Sequence, residues 1–184
     1  RLGLSEECYA IDISLGCSGW IYGLSVISAL IQNGNFKKGL LLVGDTTLKP
    51  CSRNDKSTWP LFGDAGTATA LEYEIDKQIR FHFATDGSGA NAIIIPEGGY
   101  RNEFSNQSLN YVDIEPGISR NNLQTVLNGM DVFSFGINKA PETIEKLCEH
   151  FGINRDNTDY FLFHQANLFM NEKIRKKLQI PPEK

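Results

Sequence analysis

The chain has no apolar run near the ~20 residues needed to cross a bilayer; its longest, Gly39 to Gly44, is the length of a strand. None of its four cysteines, Cys8, Cys17, Cys51 and Cys148, forms a C-x-x-C pair, so no structural zinc site is expected. It has no surplus of basic charge. With 18 Lys and Arg against 22 Asp and Glu, the net charge of -4 argues against nucleic acid as a partner, because phosphate binding calls for a basic face. The opening residues, 1 to 10, lack the charged-then-apolar layout of a secretion signal, so the expected setting is the cytoplasm, with reduced thiols and no need of disulfide staples. Solenoid repeats and low-complexity segments are absent too. The chain also opens on Arg1 and not on methionine, and is expected to be an interior slice of something longer.

What is present is an ordinary globular composition, 41% hydrophobic and 22% charged over 184 residues. The pattern reads as α/β. Tyr9 to Ile13 is expected as a buried strand, followed by a turn of small residues from Ser14 to Gly19. A helix from Gly19 to about Asn33 follows, apolar on nearly every side and therefore expected to be buried. Asn33-Gly34-Asn35 should end it, and Leu40 to Val43 is a further apolar strand. This succession implies a parallel crossover. Thr67–Tyr73, Ile79–Thr85, Ala92–Ile95 and Tyr160–Phe163 read as strands, and residues 98–117 as an irregular excursion. Residues 127–151 carry a helical pattern with Val132, Phe135, Ile144, Leu147 and Phe151 as core candidates. Pro141 is expected in a first turn or at a kink. A last helix, Asn167 to Leu178, stops at Pro181-Pro182.

Two residues stand out chemically. Cys17 sits between small residues where a strand turns into a helix. The helix N-terminus offers positive dipole and free N–H groups, which favour the thiolate and can hold an oxyanion. The bland alternative is a buried cysteine at a helix start. His164 follows an apolar strand, at the strand end where open α/β sheets place functional groups; its alternative is a satisfied structural histidine. His82 and His150 are given no role. The separation of 147 positions from Cys17 to His164 also suits a papain-like hydrolase, where the spacing is ~130–150. Gly16-Cys17-Ser18-Gly19-Trp20, however, departs from that family's nucleophile motif. A condensing acyltransferase, a Cys–His hydrolase and an inert scaffold all remain open on these residues alone.

Further motifs narrow the choice. Asp12-Ile13-Ser14, Gly16-Cys17-Ser18-Gly19-Trp20 and Tyr22-Gly23-Leu24-Ser25 resemble the nucleophile segment of the β-ketoacyl-acyl-carrier-protein synthase III family. Leu42-Val43-Gly44-Asp45, Phe62-Gly63-Asp64-Ala65-Gly66, Asn128 to Phe133, and His164-Gln165-Ala166-Asn167-Leu168 follow in that family's order. The resemblance implies a thiolase-like α/β fold of two similar halves, each with a mixed five-stranded sheet, around a buried nucleophile helix, incomplete in this chain. Residues 1–77 would belong to the half carrying the nucleophile and 78–184 to the half carrying the histidine.

The implied activity is a decarboxylative Claisen condensation in fatty acid or related acyl or polyketide biosynthesis. Cys17 would take the acyl group, and His164 would stabilise the enolate formed from malonyl-acyl-carrier protein. Phe62 matches an acyl-pocket position, Gly129 and Asn167 match positions near the pantetheine arm, and Lys56 stands where the family carries an arginine near the adenine of CoA. No cofactor or metal is implied; acyl-CoA and acyl carrier protein serve as thioester substrates, and the family is usually homodimeric. The family's third catalytic residue, an asparagine beyond the His-Gln-Ala-Asn motif, would lie past Lys184. Phe169 replaces a docking arginine, while Lys173, Lys176 and Lys177 share a helix face that is either a carrier-protein contact or simply solvated.

Overall fold

The computed structural model describes residues 3–34 and 36–184. They gather into two compact units, neither continuous in sequence. One comprises residues up to Gly44 together with Gly66–Ile79, the other Asp45–Ala65 with Arg80–Lys184.

The first unit is a helix on a two-stranded ladder. Its elements are α1 (Gly19–Gln32), β1 (Lys38–Asp45) and β2 (Ala65–Glu72). Tyr73 N–H donates to the Lys37 carbonyl at 2.9 Å, and the Thr67 hydroxyl lies 3.5 Å from the Val43 carbonyl. Partners thus descend in one strand as they rise in the other, and the two run antiparallel. Two glycines let the helix approach the sheet. A Cβ on Gly23 would lie 2.6 Å from Leu41 Cδ1, and one on Gly39 2.5 Å from Ile27 Cγ2.

The helix is apolar all round but not buried all round. Ile31 is buried, whereas Trp20 and Ile21 are 40% and 41% exposed. This corrects the expectation of a fully buried helix. The unit supplies a single covering layer, so only the side facing β1 is closed. The strand shows the same limit: Gly39, Leu41 and Val43 are half-buried, while Leu40 and Leu42 on the other face are 52% and 59% exposed. Residues 9–13 join no ladder, so the parallel crossover expected there is not formed among the described residues. At the helix end Asn33 is the C-cap and Gly34 takes φ +78°; Asn35 lies outside the described residues.

The second unit holds two short ladders and a pair of helices. β3 (Ile93–Ile94) pairs antiparallel with β6 (Val126–Leu127), and β4 (Val112–Glu115) with β5 (Ile118–Arg120). The β4–β5 hairpin corrects the reading of residues 98–117 as irregular. Its apolar positions, Val112, Ile114 and Ile118, are too few for a clear alternation, but Pro116-Gly117 supplies the turn. Proline presets its own φ and Gly117 takes φ +83°, which a side chain would resist. Residues 79–85 and 160–163 join no ladder, although Phe81 and Phe83 stack at 5.6 Å and Phe161 N–H reaches the Lys184 carbonyl at 2.8 Å. Taken together, the described residues show three two-stranded ladders, where the resemblance implied parts of five-stranded sheets.

Helix α2 (Gly129–Phe151) starts at Asn128, whose side chain accepts from Asp131 N–H at 3.2 Å. Helix α3 (Leu168–Lys177) buries Met170 and Ile174, which with Leu178 and Ile180 form a core against Val132, Phe133, Ile137, Ala140 and Ile144. Of the expected core residues, Phe135 is instead 55% exposed; Phe133 and Ile137 take the inward positions. Gly136 admits the close approach of Met170, whose sulfur would lie 2.7 Å from a Cβ there.

Pro141 is buried in the interior of α2, not in its first turn. Having no N–H, it leaves the Ile137 carbonyl without its helical donor. The Lys177 ammonium fills that gap from α3, donating to Ile137 O at 3.1 Å and to Asn138 Oδ1 at 2.9 Å.

Candidate active site

Cys17 lies in the first unit, in the tight turn that enters α1. Gly19 N–H donates to the Gly16 carbonyl at 2.8 Å, which makes Cys17 and Ser18 the two central residues of the turn. Ser18 is the N-cap but makes no side-chain capping bond. The Cys17 thiol is free and exposed, so the bland reading of a buried cysteine does not hold. Cys8 is exposed as well, whereas Cys51 is buried and donates to the Thr47 carbonyl at 3.2 Å.

His164 lies in the second unit, shortly before α3. It is exposed, and its ring has no hydrogen-bond partner among the described residues, so it is not a satisfied core histidine. Its carbonyl accepts from Ala166 N–H at 3.0 Å, turning the chain toward Asn167. Asn167 is the N-cap of α3: its Oδ1 accepts from Met170 N–H at 2.8 Å. One end of that amide is thus structural, and the residue is exposed.

The three lysines of the last helix separate in behaviour. Lys177 is tied back to α2, so it is not an open docking cation; the vacant Ile137 carbonyl is the reason. The Lys173 ammonium lies 5.3 Å from the centroid of the Phe169 ring, which stacks on Phe133 at 5.6 Å. Lys176 is exposed. Gly129 opens α2 directly after its cap and is itself exposed.

Phe62 and Lys56 belong to the segment 45–65. Asp64, of the Phe-Gly-Asp motif, accepts from Leu48 N–H at 2.8 Å and ties one end of this segment to the other. Lys56 is already engaged by the β4–β5 turn. Its N–H donates to Gly117 O at 2.9 Å, its ammonium to Pro116 O at 2.6 Å, and Glu115 lies 3.7 Å away. The side chain is nonetheless 61% exposed, and an ammonium has three donors. Phe62 is half-buried, its N–H directed to Thr58 O at 3.4 Å.

Residues 11–89 match the family model of 3-oxoacyl-[acyl-carrier-protein] synthase III. Across 177 residues the chain is 30% identical to a β-ketoacyl-[acyl-carrier-protein] synthase III of Clostridioides difficile, covering 95% of this chain and 51% of that protein. Over these stretches the chain resembles the synthase III family. A crystal structure of a 3-oxoacyl-(acyl-carrier-protein) synthase III superposes on all of this chain and 56% of its own, with TM-score 0.95 and 38% identity. A synthase from Burkholderia xenovorans LB400 covers 98% of this chain and 50% of its own, with TM-score 0.79 and 36% identity. The fold is therefore thiolase-like α/β, and the chain spans about half the length of the curated relatives it matches.

Sequence reasoning missed a buried polar cluster in the second unit. Asp55, Ser52 and Thr58 are fully buried in a segment that reads as a polar loop. The Asp55 carboxylate accepts from Ser57 N–H at 2.8 Å and from the Ser57 hydroxyl, and Arg120 donates to its other oxygen at 2.8 Å. Burial by itself raises the Asp55 carboxyl. The two Ser57 bonds and the Arg120 guanidinium outweigh burial and hold it below the ordinary aspartate value. The local signal was Asp55-Lys56-Ser57, an Asx-turn sequence; nothing local marks Arg120 as its partner.

Proposed function

We propose that this chain is the nucleophile- and histidine-bearing part of a decarboxylative condensing enzyme that makes a 3-oxoacyl-acyl-carrier protein. Its relatives carry that activity in their names. The observation that carries the reading is the exposed Cys17 thiol on the turn entering α1.

The thiolate attacks an acyl thioester carbonyl, the C–S bond to CoA or carrier protein breaks, and that thiol leaves as acyl-Cys17 forms. Malonyl-acyl-carrier protein then loses carbon dioxide. The resulting enolate attacks the acyl carbonyl, a carbon–carbon bond forms, and the Cys17 C–S bond breaks, restoring the thiolate. His164, exposed and unpartnered among the described residues, is assigned the hydrogen bond to the enolate oxygen. The Cys17 N–H is assigned to the acyl oxyanion; removing one such donor typically costs ~3–4 kcal/mol.

Residues 1–77 are assigned to the nucleophile half and 78–184 to the histidine half on motif order, with the qualification that 45–65 groups with the second compact unit. Phe62 is assigned to the acyl end of the substrate, Lys56 to the nucleotide end, and Gly129 and the Asn167 Nδ2 to the pantetheine arm. Lys173 and Lys176 are the remaining cations for an acidic carrier protein. A homodimer and a cytoplasmic setting complete the reading; no helix among the described residues is long and apolar enough to cross a membrane.

Mass spectrometry after incubation with acyl-CoA should find an acyl group on Cys17 and none on Cys8 or Cys148. An unmodified Cys17, or turnover of a simple ester or peptide with no carbon–carbon bond formed, would overturn the proposal.

A further inference from the structure

The segment that presents Lys56 and Phe62 is sewn to the β4–β5 hairpin. The Ser52 hydroxyl donates to Ser119 O at 2.6 Å, and Ser119 N–H donates to Asn54 O at 3.0 Å. Asp55 forms a β-bridge with Ile118, and Lys56 N–H meets Gly117 O. Four residues, 52, 54, 55 and 56, therefore follow the hairpin, and at their centre lies the Asp55–Arg120 pair. The carboxylate is fully buried and the Arg120 side chain is 15% exposed. From Asp55 the order propagates by backbone bonds. The Asp55 carbonyl accepts from Thr58 and Trp59 N–H at 3.3 and 3.0 Å, and the Thr58 carbonyl accepts from Leu61 and Phe62 N–H at 3.0 and 3.4 Å. The chain of bonds thus runs from the ion pair to Phe62. Arg53 adds a local brace, its guanidinium 5.4 Å from the centroid of the Trp59 ring.

We propose that Asp55 and Arg120 are positioning residues: their buried pair fixes residues 52–62 on the hairpin and so sets Lys56 and Phe62 for the nucleotide and acyl ends of a thioester. This rests on the function proposed above. An uncompensated buried carboxylate is strongly unfavourable, so loss of the guanidinium forces Asp55 outward or into its protonated form. Either change releases the segment from Arg120 while the hairpin's own ladder remains.

Two measurements on the full chain test this. Hydrogen exchange should rise about tenfold or more at amides 55–62 in Arg120→Met, with protection in α2 and α3 unchanged within about twofold. Arg120→Lys, which keeps the charge but loses the planar fork, should recover part of that protection. Calorimetric titration should then show Arg120→Met weakening coenzyme A about tenfold while pantetheine, which lacks the nucleotide, changes less than about twofold. A merely structural pair would weaken both ligands alike, and that result would refute a positioning role. Unchanged exchange over 55–62 overturns the anchoring itself. Failure of the unmodified chain to bind coenzyme A overturns the thioester reading of the segment, so the two failures are told apart.

Discussion

Asn167 holds two assignments that a pair of substitutions can separate. Its Oδ1 caps α3 through Met170 N–H at 2.8 Å, and its Nδ2 is the group assigned to a pantetheine arm. Asn167→Ala removes both. Loss of a cap of this kind costs about 1 kcal/mol, within a range of 0.5–2. α3 is only ten residues long and has no acidic residue in its first turn to compensate, so the middle of that range applies. For a domain of this size, about 1 kcal/mol lowers the melting temperature by roughly 2–4 °C. Asn167→Asp keeps the acceptor and places a negative charge at the helix N-terminus, worth about 0.3–1 kcal/mol in favour. It should melt at or above the unmodified chain, yet it lacks the amide donor. Losing one neutral hydrogen bond of about 1 kcal/mol should slow Cys17 acylation about fivefold. Thermal unfolding followed by circular dichroism supplies the first number, and timed mass spectrometry of the acyl adduct the second. Equal destabilisation by Ala and Asp would refute the capping argument, and unimpaired acylation in a stable Asn167→Asp would remove the residue from the substrate arm.

Two further outcomes follow from contacts already described. The Asp55 carboxyl is held below its unfolded value near 3.9, so its contribution to stability is complete above that pH and is lost as pH falls toward the folded value. Acid titration of unfolding should therefore be shallower below about pH 4 in Asp55→Asn than in the unmodified chain, and parallel curves would contradict the assignment. Gly39→Ala places a Cβ 2.5 Å from the branched Ile27 Cγ2; overpacking of this kind costs about 1–3 kcal/mol. Unchanged denaturant midpoints would show that α1 does not rest on β1 as described.

The helices were legible because their signals are local. α2 and α3 fall where the helical patterns of residues 127–151 and 167–178 place them, and α1 begins at Gly19 as the small-residue turn requires. The Cys17 turn was legible for the same reason. The runs Leu40–Val43, Thr67–Tyr73 and Ala92–Ile95 do form strands, as β1, β2 and β3, but strand pairing was not legible, because an apolar run reports a preference for burial and says nothing of which partner completes the ladder. Residues 9–13, 79–85 and 160–163 have the preference and no ladder partner among the described residues, while Val112–Glu115 has a partner and a weak preference. The Asp55–Arg120 pair was hidden for a related reason. A charge in a polar stretch reads as solvated until the segment that covers it is known. Lys177 failed in the opposite direction: helical spacing placed it on a common face with Lys173, but the acceptor that claims it belongs to another helix.

One of the two acceptors of Lys177, the Ile137 carbonyl, is open because position 141 is proline. A mid-helix proline is usually counted as a defect that neighbouring residues tolerate. In α2 it leaves a carbonyl that the end of α3 occupies, so the two positions are coupled through one hydrogen bond. Replacing Pro141 restores a donor within α2 and leaves Lys177 only its bond to Asn138; replacing Lys177 leaves the Ile137 carbonyl without a donor. Which amino acid is acceptable at one position is therefore conditional on the other. A lineage that changes either one first passes through a less favourable intermediate, so the pair is expected to be gained and lost together.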